Sequence, residues 1–66
     1  MSALEEIGLR IQQARKENSL TQEQLAELAG ISERTVRAIE TATGNPSVNG
    51  LLAAASVLGL RLVVTE

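Results

Sequence analysis

Residues 21–40 read TQEQLAELAGISERTVRAIE, and their punctuation decides more of the fold than any other stretch of this 66-residue chain. Thr21, followed three positions later by Gln24, fits a capping box: the threonine oxygen takes a backbone N–H of the first turn and the glutamine returns a bond to the cap. Leu25, Leu28 and Ala29 then supply an apolar side at helical spacing. Gly30 suits the end of this segment, because it adopts the left-handed C′ conformation without a Cβ penalty. Two positions later Ser32 is a natural N-cap for a further short helix, with Val36 and Ile39 as its apolar pair. Short helices joined by a glycine-centred turn share a core only if they cross steeply, which is a helix-turn-helix. At roughly 100° per residue, Glu33, Arg34, Arg37, Ala38 and Thr41 lie on one arc of the second helix, with Ser32, Thr35, Val36 and Ile39 opposite. The two arginines therefore face outward together. Arginine's planar fork matches guanine O6 and N7 in the major groove, which admits a helix. Two readings stay open for Glu33: it accepts from cytosine N4, or it favours its own helix N-terminus. Either arginine can instead pair with it.

Working outward, Ser2 and Glu5 form another capping box, and Leu4, Ile7, Ile11 and Ala14 predict a first helix over about Ala3 to Glu17. Beyond Thr41-Ala42-Thr43-Gly44-Asn45-Pro46, Ser47 caps a last helix carrying Val48, Leu51, Leu52, Ala55 and Leu58, which ends near Gly59. Gly50 inside it costs about 1 kcal/mol relative to alanine and hints at close packing, with a subunit contact as one place for it. The period then changes. Leu60, Leu62 and Val64 alternate with Arg61, Val63 and Thr65, which predicts a short β-strand over residues 60–66. The expected fold is mainly α: a bundle of four to five short helices with a helix-turn-helix and a C-terminal strand, all in one domain spanning residues 1–66.

Composition narrows the function. The net charge is −2, and Cys, His, Phe, Trp and Tyr are all absent. The core must be aliphatic, no disulfide or thiolate metal site is available, and the chain suits a reducing cytosol. Without aromatic platforms, single-stranded nucleic acid has nothing to stack on. Neither a signal peptide nor a long apolar run is present, so no membrane association is expected and the location is cytoplasmic. Acid–base or nucleophilic catalysis lacks its usual groups, so the chain reads as a non-enzyme without cofactor or metal. A negative total is compatible with a cationic face if Glu5, Glu6, Glu23 and Glu27 sit on the far surface.

The run TQEQLAELAGISERTVRAIE also resembles the helix-turn-helix of lambda-repressor-like (Xre-type) bacterial regulators, in its Thr-Gln opening, Leu-Ala pair, glycine before an apolar residue and Val-x-x-Ile-Glu close. With its GNPS turn and LGLRLVV ending the chain further resembles the short HipB-like antitoxins. The resemblance implies a sequence-specific repressor of double-stranded operator DNA that autoregulates a toxin–antitoxin operon and partners a HipA-like kinase toxin. The alternative is a general Xre-type regulator without a toxin. It implies base contacts from Glu33, Arg34, Arg37 and Ala38, and a phosphate seated on Gln22. Thr21, Ser32, Thr35, Thr41 and Thr43 are the hydroxyl candidates for backbone contacts. Arg15 and Glu40 match a structural ion pair. Ser19 stands where such regulators usually have glycine, and Thr41-Ala42-Thr43 replaces a loop commonly rich in Asn, Gly and Lys.

A strand with no hairpin partner in its own chain leaves an unpaired edge. The expectation is a homodimer through Arg61, Leu62, Val63, Val64 and Thr65, burying Leu62 and Val64, or Val63, across a two-fold axis. The competing arrangement has the last helix make the whole contact while the tail lies on its own domain.

Overall fold

The computed structural model describes residues 2–63. Four helices follow in order: α1 Ala3–Glu17, α2 Gln22–Ala29, α3 Glu33–Thr41 and α4 Val48–Val57. Each starts where its cap dictates. Ser2, Thr21, Ser32 and Ser47 have extended backbones, and each side chain accepts a hydrogen bond from the amide three residues on. The boxes at Ser2 and Thr21 are reciprocal, with Glu5 and Gln24 returning bonds of 3.0 and 2.8 Å to the cap amides. The two hydrogen bonds from Ser2 hold the Glu5 carboxyl below its usual range.

The core lies where α1, α2 and α4 meet α3. Ile11, Leu25, Val36 and Ile39 are fully buried, each contributing about 1.5–3 kcal/mol relative to exposure. Ala14, Ala26, Leu51, Ala54 and Ala55 fill the space between them. Small residues let the helices approach closely, and Gly8 marks the tightest point. A Cβ there would fall 2.3 Å from the carbonyl oxygen of Ile39, so the backbones of α1 and α3 touch.

Two sequence expectations are corrected, and the close packing expected at Gly50 is present. Leu28, assigned to the buried side of α2, is 62% exposed, and Ala26 takes its place beside Leu25. The reason is steric: α2 lies against both α3 and α4, which turns the Leu25–Ala26 side inward and leaves the next turn's leucine outside. Gly50 packs within the chain, since a Cβ there would sit 3.3 Å from the Ser47 hydroxyl and 3.4 Å from the Thr35 methyl. It accommodates α3. Finally, no strand forms among the described residues. Leu60–Val63 follow α4 without ladder bonds, with Leu60 and Leu62 half-buried against the core. A strand exists only through its partner, and a single chain offers none here. Val64 and Thr65, the rest of that expected element, lie outside the described residues.

Candidate nucleic-acid interface

The turn from α2 to α3 is short because its backbone accepts an unusual conformation. Gly30 is left-handed at φ 69°, and the Ile31 amide donates back to the Ala26 carbonyl at 3.0 Å. Ser32 then starts α3, its hydroxyl 3.0 Å from the Thr35 amide and 2.8 Å from the Thr35 hydroxyl. Val36, Ile39 and Glu40 are buried, whereas Glu33, Arg34, Arg37 and Thr41 are exposed. Ala38 is half-buried at the margin of the arc. The outward arc expected from the sequence is thus present, without Ala38 standing free of its neighbours.

Its charges are arranged in a specific way. Arg37 donates from Nη2 to Glu33 Oε1 at 2.9 Å, one turn earlier on the same face. Arg34 has no ion-pair partner among the described residues. At the far end, Thr41 donates to the Arg37 carbonyl at 2.8 Å and its hydroxyl lies 2.9 Å from that of Thr43. Ala42 ends α3 in the left-handed region at φ 54°, where a Cβ is strained.

Beneath the arc, a buried network fixes α3 to the rest of the molecule. Arg15 donates from Nε to Glu40 Oε2 at 2.6 Å and from Nη2 to Oε1 at 3.0 Å, a bidentate pair with side chains 10% and 0% exposed. The third nitrogen, Nη1, reaches the Leu20 carbonyl at 2.9 Å. The Glu40 hydrogen bond raises the Arg15 pKa against the opposing effect of burial, so the guanidinium stays charged. Gln22 joins them by donating from Nε2 to Glu40 Oε1 at 3.2 Å. One carboxylate therefore binds α1, the start of α2 and the end of α3. The sequence reading placed the Gln22 side chain on a phosphate. In the network its amide nitrogen gives one hydrogen to Glu40, and the second hydrogen, the side-chain oxygen and the backbone N–H are not used by that bond.

Of the hydroxyl candidates, Thr21, Ser32, Thr41 and Thr43 are exposed, and Thr35 is half-buried with its methyl towards Gly50. The Gln22 bond sets the start of α2 beside the end of α3, while Thr35 brings the start of α4 beside the first turn of α3. The starts of α2 and α4 therefore both pack against α3, and a helix N-terminus carries N–H groups without intrahelical partners and a positive dipole end. The sequence reading missed Gly8. A small residue at that position on an otherwise amphipathic helix is its signal, and what it meets is a distant backbone.

A short α2, a left-handed glycine, and an α3 whose buried side is locked while its other side is free define a helix-turn-helix protein. The Helix-turn-helix family model matches residues 11–64, and the chain belongs to that family. It is 45% identical over 56 residues to the immunity repressor protein of Bacillus phage phi105, an alignment covering 85% of this chain and 39% of the repressor. The chain thus spans well under half the length of that relative. Among solved structures it is similar to the master regulator for biofilm formation SinR in complex with DNA. The TM-score is 0.72 and the identity 38%, over 83% of this chain and 89% of that one.

Proposed function

We propose that residues 1–66 act as one sequence-specific, double-stranded DNA-binding domain of a transcriptional repressor, with α3 lying in the major groove. The observation that carries this reading is the exposed Glu33, Arg34, Arg37 and Thr41 arc on a helix whose opposite side is locked by Glu40. Arg34 and Arg37 read base edges, with Glu33 and Ala38 beside them. Thr21, Ser32, Thr35, Thr41, Thr43 and the amide of Gln22 position the backbone, since helix N-termini and hydroxyls suit phosphate oxygens. The similarity to a phage immunity repressor and to SinR, a regulator whose solved structure is a complex with DNA, supports the same reading. The same reading includes a homodimer on a palindromic operator, which would set the two copies of α3 on half-sites centred about 34 Å apart.

Between the finer roles, these relatives favour a general regulator. The antitoxin reading, with a HipA-like kinase as partner, rests on the GNPS turn and LGLRLVV ending. Co-purification from the native host would recover such a kinase if it exists. The test of the main reading is a gel shift on selected duplexes: Arg34→Ala and Arg37→Ala should each weaken specific binding by about 1–3 kcal/mol with an unchanged helical spectrum. Full affinity in the double variant would overturn the assignment of α3.

A further inference from the structure

The Glu33–Arg37 pair carries an inference about what the arc reads. The contact uses one carboxylate oxygen and one terminal nitrogen, Nη2 to Oε1 at 2.9 Å, and both side chains are substantially exposed. A guanidinium has five N–H donors in a fixed plane. Nη2 can give one hydrogen to Glu33 and still present its other, together with one on Nη1, as a parallel pair. Glu33 Oε2 makes no hydrogen bond among the described residues and remains an acceptor.

We propose that Glu33 and Arg37 act as one composite reader: Arg37 takes guanine O6 and N7 while held by Glu33, and Glu33 Oε2 accepts from the N4 amino group of a cytosine in the adjacent base pair. This rests on the proposal that α3 reads duplex DNA. Position 33 stands four residues before position 37, about 6 Å along the axis, which displaces its free oxygen from the guanine towards the next pair. The chemistry is selective because only cytosine offers a lone amino donor at the major-groove edge without a neighbouring N7 acceptor. The carboxylate also acts against wrong sites. Away from such a step it meets acceptor atoms and the phosphate field, and a polar group desolvated without a donor raises the free energy of every mismatched complex. An acidic residue on a DNA-facing arc therefore lowers affinity in general and raises discrimination.

Selection from randomised duplexes, followed by affinity measurement on single-site variants, tests this with the wild type, Glu33→Ala and Arg37→Ala. The wild type should enrich half-sites containing a guanine next to a cytosine-bearing pair. Glu33→Ala should keep the guanine, lose about tenfold of the cytosine preference, and bind unrelated duplex more tightly than the wild type. Arg37→Ala should lose the guanine. An unchanged consensus for Glu33→Ala overturns the composite reader, and so does simultaneous loss of guanine and cytosine preference in that variant. A wild-type consensus lacking the step overturns the composite reader alone, whereas a wild type that enriches no duplex removes the DNA-reading function with it. Circular dichroism of each variant confirms that these exposed substitutions leave the helices formed.

Discussion

Glu40 is the residue on which the most elements converge, and it has almost no exposure of its own. A buried ion pair is weak evidence for stability as a whole, because desolvation offsets much of the attraction. Removing one partner is different: Glu40→Ala leaves the Arg15 cation buried without its carboxylate. The expected loss is about 3–5 kcal/mol, a large share of the stability of a domain this small, against a change within about 0.5 kcal/mol for Glu23→Ala on the exposed side of α2. Equal melting temperatures for the two would remove the pair's structural role. Gly8 is the second critical residue. Gly8→Ala gains helix propensity of about 1 kcal/mol yet drives a methyl to 2.3 Å from the Ile39 oxygen. The helices must part, and a net loss of about 2–3 kcal/mol is expected in chemical denaturation, where a neutral or stabilising result would deny the close approach.

Helix starts were legible in the sequence to the residue, because each of the four helices begins at a side chain whose oxygen satisfies a free N–H. Which side of a helix is buried was less so. Period alone allowed Leu28 inward, and only the position of α4 decided for Ala26. The outward arc of α3 was readable because one run of residues carries both its core pair and its arginines, whereas the Gln22–Glu40 bond joins positions 18 apart in sequence and left no local trace. The junction of α1 and α2 shows an element held at a cost. Ser19 sits in the left-handed region at φ 57°, a conformation that costs a residue with a Cβ about 1–2 kcal/mol. The serine makes no side-chain hydrogen bond among the described residues. Ser19→Gly should therefore stabilise by about 0.5–1 kcal/mol after the added freedom of the unfolded chain is subtracted. A lower denaturation midpoint would contradict this account of the turn.

At the scale of the molecule, α4 carries no charged residue, and Val48 and Leu52 on it are 67% and 46% exposed. Leu52 also lines a shallow groove with Leu60 and Leu62. That apolar surface is the face the homodimer proposed above would use, with residues 61–65 or α4 supplying the contact. Deleting residues 60–66 and measuring mass by sedimentation equilibrium separates the two. A monomer that keeps its helices assigns the interface to the tail, and a truncated chain still dimeric at micromolar concentration assigns it to α4. The alternation over residues 60–66 predicted a strand, but a ladder needs a second strand, and the helical chain offers none among the described residues.

The latch around Glu40 divides the molecule into a frame and a replaceable face. Arg15, Gln22 and Gly8 hold α3 by its inner side and its last turn, and none of them relies on the side chains at 33, 34, 37 or 41. With α3 reading DNA as proposed, grafting foreign residues onto those four positions would retarget the domain to a different operator without refolding it. The same frame would serve a whole repertoire of regulators that differ only in what they read.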